Sequence, residues 1–441
     1  MPIVVSPPFR AADVQNSSFA QNQPCAIRTP PKLNNIPTFH IKDTFIAYAS
    51  PDSTYAVTCR LINGAKMQII IGIYDFSADH IKQLLISARN RGVEVLIMLD
   101  FRKGEKDEAR IYQELQTFGC KIEQAPSCGN SSSKYFHACH EKIIVIDGEW
   151  TLIQSGNYSV NSIPQNNEEN PGNFITGNRD MGVAVRSPQL ADFFLNLIKN
   201  DLKLTSPSTN FIESEFSKEF ETPYFVELAP QQLPLKLFQS KELDPKVKVT
   251  VRPILTPDNY MDEIPMILSK AKKSIYIENQ YIRGQQPEVS KLLAAIKKAK
   301  DINPDLNVRI VLGKIFGRDD YDKELENIEY IKSSFNLILD ENIRYIDTTQ
   351  FVHCHNKLII IDEESVLISS QNWSDTGVSS NREAGLYIVY EDLAKYYLSI
   401  FELDWSTAQR TIPEPIYNAI SLEDLASGRF VKVAAADHIE V

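Results

Sequence analysis

The sequence predicts an α/β fold made of two pseudo-symmetric α-β-α sandwich halves with mixed, largely parallel sheets. Three observations carry that expectation. Apolar, strand-like runs alternate with stretches of helical spacing. The same strand–helix–strand order occurs twice along the chain. Each copy then leads to a His-containing segment followed by an apolar strand.

In the first copy, Lys66 to Ile73 (KMQIIIGI) reads as a buried strand. Ser77 to Arg91 carries helical spacing through Ile81, Leu84, Leu85 and Ala88, and Gly92 stops it. Val93 to Leu99 is the next strand, so a right-handed crossover and a parallel pair are expected. In the second copy, Lys273 to Glu278 is a strand, Val289 to Ala299 a helix with Leu292, Leu293 and Ile296 on one face, and Val308 to Leu312 a strand. His140 to Asp147 closes the first unit and His355 to Asp362 the second. Around these lie an arm over residues 1–44, rich in Pro, Asn, Gln and Ser, and a structured linker over 206–250 carrying Tyr224-Phe225-Val226. The halves are placed at 45–205 and 251–410. An extension at 411–441 contains one more strand candidate, Arg429 to Ala434.

Composition narrows the function classes. Among 441 residues, 46 are Lys or Arg and 57 are Asp or Glu, a formal charge of -11. That argues mildly against a dedicated duplex nucleic-acid binder, while leaving a local basic cleft open. No apolar run approaches the roughly 18 residues of a membrane helix. The N-terminal MPIVVSPPFR lacks a signal-peptide pattern, and the six cysteines form no CxxC pair. A cytoplasmic protein without a transmembrane segment is expected, with leaderless export as the alternative.

The chemistry lies in a duplicated set. His140-Glu141-Lys142 is followed by Asp147 and by Ser155-Gly156-Asn157; His355-Asn356-Lys357 is followed by Asp362 and by Ser370-Gln371-Asn372. Each Asp lies 7 residues after its His, and each Asn lies 17 after it. Further on come Asn178-Arg179-Asp180 and Asn381-Arg382-Glu383. On a strand, alternate side chains share a face, so His140 projects with Lys142 and His355 with Lys357. An imidazole beside an ammonium suits an anion: Lys holds the oxygens, and His serves as nucleophile or proton donor. Asn157 and Asn372 add amide donors. Two such sets facing one another would cradle one phosphodiester and allow in-line displacement.

With HxKxxxxD and a Ser-x-Asn segment both present twice, the sequence resembles the phospholipase D superfamily from about residue 45 to about 405. Ile277-Glu278-Asn279-Gln280-Tyr281 also resembles the IENQ-type strand of phospholipases D proper. The chain departs from the family's GSxN, because Gln154 and Ser369 stand where that motif has Gly. The resemblance implies a two-step, cofactor-free reaction. One His attacks phosphorus and forms a phosphohistidine; the other protonates the leaving alcohol, then activates water or an acceptor alcohol. By that analogy His140 is the nucleophile and His355 the general acid, an assignment the symmetry allows to be reversed. Lys142, Lys357, Asn157 and Asn372 hold the phosphoryl oxygens, and Ser155 and Ser370 bind substrate. Asp180 and Glu383 match the acids that fix the far ring nitrogen of each His. Asp147 and Asp362 are expected to be structural.

Other features have plainer readings. His137, Cys139, His353 and Cys354 crowd the motifs, but His137-x-Cys139-His140 is too tight for a usual zinc site, so no metal is expected. The Asn157-to-Asn178 interval exceeds its counterpart by 12 residues, placing an insertion over Ile163 to Gly177 beside the site. Tyr158 and Trp373 follow the two Asn residues, and core packing is their commoner role. Lys297-Lys298-Ala299-Lys300 reads as a solvated helix face. Three functions compete. The first is a phospholipase D acting on a glycerophospholipid such as phosphatidylcholine, with transient membrane-surface contact. The second is a metal-independent nuclease on single-stranded nucleic acid, and the third a non-catalytic phosphate-binding scaffold.

Overall fold

The computed structural model describes residues 27–33, 35–100, 106–129, 133–166, 174–205, 225–227, 236–315, 318–414 and 430–432. In the first half the elements run β1 (Phe39–Ile41), β2 (Phe45–Ser50), α1 (Thr54–Gly64), β3 (Gln68–Ile73), α2 (Asp79–Asn90), β4 (Glu94–Leu99), α3 (Lys106–Thr117), β5 (Lys121–Gln124), β6 (Lys142–Ile146), β7 (Trp150–Gln154), β8 (Asp180–Arg186) and α4 (Pro188–Leu202). After β9 (Phe225–Glu227) and β10 (Lys241–Leu243) the second half runs β11 (Val249–Thr256), α5 (Tyr260–Ser269), β12 (Ser274–Asn279), α6 (Pro287–Ile302), β13 (Asn307–Leu312), α7 (Arg318–Phe335), β14 (Ile343–Tyr345), β15 (Lys357–Ile361), β16 (Ser365–Ser369), α8 (Asp375–Ser379), β17 (Glu383–Val389) and α9 (Glu391–Thr407). A last strand, β18 (Phe430–Lys432), pairs antiparallel with β9.

Two mixed eight-stranded sheets result, ordered β10-β2-β8-β7-β6-β3-β4-β5 and β1-β11-β17-β16-β15-β12-β13-β14. The predicted parallel pairs are present: β3 with β4 and β12 with β13. The parallel share is smaller than expected, however, and "largely parallel" needs correction. Parallel pairing is confined to β3-β4-β5 and β12-β13-β14; the other pairings in both sheets are antiparallel. Two of these pairings, β6 with β7 and β15 with β16, are set locally. Asp147 and Gly148 (φ 54° and 67°), like Asp362 and Glu363 (φ 55° and 64°), build tight left-handed turns that return the chain at once.

The two halves exchange edges. β1, within the expected arm, pairs with β11 of the second sheet, and β10, within the expected linker, pairs with β2 of the first. The expected boundary between 250 and 251 also falls inside β11. Residues 1–26 of the arm, much of the linker and most of the C-terminal extension lie outside the described residues.

Three apolar layers follow from strand alternation. Side chains of one face of each sheet, among them Ile143, Val183, Leu358 and Leu386, form one core with Phe194 of α4 and Tyr397 and Phe401 of α9. The opposite faces are covered by α1 to α3 in the first half and α5 to α8 in the second. Helix α4 starts cleanly because the Ser187 hydroxyl accepts Leu190 N–H (3.3 Å) ahead of Pro188. The sheets therefore meet face to face, and the strand ends that carry the motifs come to one junction.

Candidate active site

Register explains the convergence. In the first sheet β3 ends at Ile73 beside Lys142, where β6 begins, and β7 ends at Gln154 beside Gly182, near the start of β8. His140, Lys142, Ser155, Asn157 and Asp180 thus gather at one sheet edge. The second sheet repeats this with His355, Lys357, Ser370, Asn372 and Glu383.

The two edges are stitched together through the backbone. His140 N–H donates to the Arg382 carbonyl (2.8 Å) and His355 N–H to the Arg179 carbonyl (3.0 Å). Arg382 N–H in turn donates to Ala138 O (2.7 Å) and Arg179 N–H to His353 O (2.8 Å). Each histidine is placed by the other half of the chain.

The side chains cross in the same way. His140 Nδ1 lies 2.9 Å from Glu383 Oε2, and His355 Nδ1 lies 3.0 Å from Asp180 Oδ1. A carboxylate only accepts, so each ring carries a proton on Nδ1 and leaves Nε2 for the reaction. Burial pushes the Glu383 carboxyl up to about 7 against the pull of Lys142. It pushes Asp180 up to about 6 against the pull of Lys357. Lys142 is pushed down to about 7 by burial, with Glu383 opposing and Lys357 adding to the shift. One ammonium thus senses a carboxylate and an ammonium of the opposite half, as a single shared centre requires. Lys142 Nζ and Lys357 Nζ each donate to the carbonyl of the histidine two residues earlier, both at 2.7 Å.

Ser155 and Ser370, expected at the substrate, are engaged elsewhere. Their hydroxyls donate to Asp180 (2.8 Å) and Glu383 (2.5 Å), and they accept the Met181 and Ala384 N–H groups. The serines therefore sit behind the acids. Asp147 and Asp362 lie at the turns, away from the histidines. Asp147 accepts the N–H groups of Lys66, Met67 and Gln68, and Asp362 those of Lys272, Lys273 and Ser274. Their carboxylates lash the start of β3 and β12 to the following hairpin.

Each residue that stands where the motif has Gly faces a glycine across the ladder. Gln154 pairs with Gly182 and Ser369 with Gly385. A Cβ at Gly182 would lie 2.3 Å from the Tyr48 ring, and one at Gly385 would lie 2.6 Å from Ser369 Cβ. Glycine is required at both positions because a side chain there would collide with its neighbour.

All eight residues expected in catalysis, His140, Lys142, Asn157, Asp180, His355, Lys357, Asn372 and Glu383, are at most 2% exposed. The reacting groups therefore lie withdrawn from the surface, where burial shifts their protonation. Tyr74 closes one side, edge-on to His140 at 4.8 Å.

Several supporting residues escaped the sequence reading. Arg179 is wholly buried between Asp52 (2.7 Å) and Asp404 (2.8 Å), and Arg382 between Asp258 (2.5 Å) and Asp201 (2.8 Å). Each arginine takes one acid from its own half and one from the long helix, α4 or α9, of the other. Two signals were present: the repeated Ser/Thr-Pro-Asp at 50–52 and 256–258, and Asp201 and Asp404, each 21 residues after its motif acid. Glu141 and Glu278 form another pair. Gly72 leaves room for Glu141, whose Oε1 would lie 3.1 Å from a Cβ there; in the second half Glu278 occupies the matching strand position and accepts from Asn356 (2.8 Å).

Burial, followed by the Asp201 charge, pushes Glu141 up to about 8. The native state therefore binds a proton that the unfolded chain has released above its ordinary carboxyl range near pH 4.5. That contribution is full below about 4.5 and is lost as pH rises through about 8. Between pH 5 and pH 9 the wild type is expected to lose roughly 4 kcal/mol more stability than Glu141→Gln, which has no such proton. Urea unfolding at both pH values checks this; parallel losses in the two proteins would reject it.

The remaining candidates are placed as follows. Cys139 and Cys354 lie in the core between the sheets, and His353 Nδ1 accepts Lys314 N–H (3.0 Å). No metal-holding group of three His, Cys, Asp or Glu occurs among the described residues. Tyr158 packs edge-on to Phe76 (5.3 Å), and Trp373 Nε1 donates to Tyr260 OH (3.0 Å), so both are core residues. Part of the 163–177 insertion lies outside the described residues; its base is tied by Asn166, which binds Ile175 N–H (2.7 Å) and Pro51 O (2.8 Å). No helix among the described residues is long and apolar enough to cross a membrane.

Residues 58–202 and 264–405 match the family described as cardiolipin synthase, PLD-like domain. No curated protein sequence matches. Among solved structures, phosphatidylserine synthase of Haemophilus influenzae Rd KW20 is 16% identical, with 85% of this chain and 88% of that one covered at a TM-score of 0.55. Nuc, a phospholipase D family member from Salmonella typhimurium, is 21% identical over 37% of this chain and 96% of its own, with a TM-score of 0.31.

Proposed function

The chain belongs to the phospholipase D superfamily, with the family's domain present twice, and from that premise we propose that it hydrolyses a glycerophospholipid, or transfers its head group, through a phosphohistidine. The observation that carries this reading is the crossed pairing of His140 with Glu383 and His355 with Asp180. Two imidazoles, each with its Nδ1 proton held by a carboxylate of the opposite half, suit sequential attack and proton transfer at one phosphorus. Nε2 of His140 attacks phosphorus and the P–O bond to the head group breaks. His355 enters this step as the imidazolium, its Nδ1–H held by Asp180, and gives its Nε2 proton to the departing alkoxide. It then takes a proton from water or an acceptor alcohol, whose oxygen displaces His140. Lys142, Lys357, Asn157 and Asn372 bind the phosphoryl oxygens and stabilise the charge that builds on them. Ser155 and Ser370 act as positioning residues that hold Asp180 and Glu383, while Asp147 and Asp362 are structural.

Head-group release from phosphatidylcholine and phosphatidylglycerol vesicles, and cleavage of labelled single-stranded DNA, should be measured for wild type and His140→Ala. Release from lipid that is absent in the variant is expected. DNA cleavage without lipid turnover would replace this reading by a nuclease.

A further inference from the structure

The duplicated site is not symmetric on its flanks. In the first half the position after β3 is Tyr74, whose ring lies against His140 and packs with Ala138. Asp100, following β4, is occupied by the Ser127 hydroxyl (2.9 Å) and the Cys139 N–H (2.6 Å). In the second half the matching positions are Gln280, His353 and Gly313. There the space stays open as a cavity of about 40 Å³ lined by these three together with Arg283, Lys314 and Glu324. One water needs only about 10–15 Å³ on this measure, so a small polar group fits.

The cavity shares a wall with the reacting centre, because Gln280 Oε1 lies 3.3 Å from Lys357 Nζ. Its walls are built closely. A Cβ on Gly313 would lie 2.4 Å from the His353 ring and 2.7 Å from the Gln280 carbonyl. His353 Nδ1 accepts the Lys314 N–H, which leaves its proton on Nε2 as a donor. The acids in the wall have partners of their own. Glu324 accepts from Tyr345 OH (2.7 Å) and Arg283 (3.2 Å), and Asp320 lies 3.8 Å from Lys323. Lys314 is different: burial pushes its ammonium down to about 8, and among the described residues no carboxylate offsets that burial. A cation withdrawn from water without a counter-charge suits an anionic ligand.

Building on the proposed reaction, we propose that this cavity is the head-group subsite and that it selects leaving alcohols bearing a second anionic group, a carboxylate or a phosphate, held by Lys314. The subsite lies on the His355 side, which places the departing alcohol beside the residue assigned to protonate it.

Calorimetric titration tests this without turnover. The probes are glycerol 1,3-bisphosphate, 3-phosphoglycerate and phosphocholine, with wild type, Lys314→Met and Lys314→Arg. Wild type is expected to bind one or both anionic probes about tenfold tighter than phosphocholine, as one charge-assisted hydrogen bond allows. Lys314→Met should erase that preference and Lys314→Arg should retain it. The two anionic probes distinguish a phosphate from a carboxylate as the favoured group. Equal affinity for phosphocholine in wild type, or a preference unchanged in Lys314→Met, overturns the subsite. Turnover of bis(4-nitrophenyl) phosphate, measured separately, reports on the phosphodiesterase reading itself, so the two can fail independently.

Discussion

His140→Ala is expected to lower kcat by roughly 10⁴-fold on every phosphodiester, with no phosphorylated protein recovered after an alkaline denaturing quench, which preserves a phosphohistidine. His355→Ala should behave differently when the leaving group is an acidic phenol. Nitrophenolate departs without a proton, so His140 can still attack and the P–O bond can still break. The second step then stalls, because no base remains to activate water. A burst of one nitrophenolate per active site and a stable phosphohistidine are the expected signature. A burst in His140→Ala and none in His355→Ala would reverse the assignment; a burst in neither would remove the covalent intermediate. The crossed geometry adds a second reading of the same kind. Glu383→Gln disturbs the ring it touches, His140 of the other half, and is therefore expected to depress the burst itself. Asp180→Asn touches His355 and should spare the burst while slowing the steady state.

Arg179→Met is expected to lower the free energy of unfolding by about 3–5 kcal/mol. The guanidinium is buried between Asp52 and Asp404 and lies 4.1 Å from the centre of the Phe351 ring. Methionine fills part of the volume but leaves two carboxylates without a counter-charge, which costs more than the ion pairs contribute. Restoring neutrality in Arg179→Met/Asp52→Asn/Asp404→Asn should recover a large part of the loss. Urea midpoints at constant slope measure both effects. A midpoint within error of wild type in the single variant would show that the cluster is solvated and carries little. Arg382, with Asp201, Asp258 and Phe136 at 4.3 Å, should respond alike.

Much of the fold was legible along the chain because its signals are local. β3, β4, β12 and β13 appear as apolar runs within one or two residues of their observed ends, and Gly92 (φ 90°) closes α2 where a left-handed residue was needed. The smaller parallel share was missed because Asp-Gly and Asp-Glu were read as motif rather than as hairpin residues, and because pairings such as β3 with β6 and β2 with β8 join strands far apart in the chain. The placement of Ser155 and Ser370 behind the acids was missed for a related reason. A motif gives the spacing of a hydroxyl, while its partner is set by a strand 25 residues away in one half and 13 in the other.

Taken alone, the sequence determined that this protein is built twice, which side chains recur at equal intervals, and therefore which chemistry is available to it. Those properties follow from identity and spacing, which the chain order preserves. Only the tertiary structure decided that Glu383 serves His140 and Asp180 serves His355, that one flank is filled by Tyr74 while the other keeps a cavity beside Lys314, and that the eight motif residues are buried. Each of these depends on how two sheets, separate in sequence, lie against one another. That is settled by the shared core and the buried arginine clusters, and no local pattern encodes it.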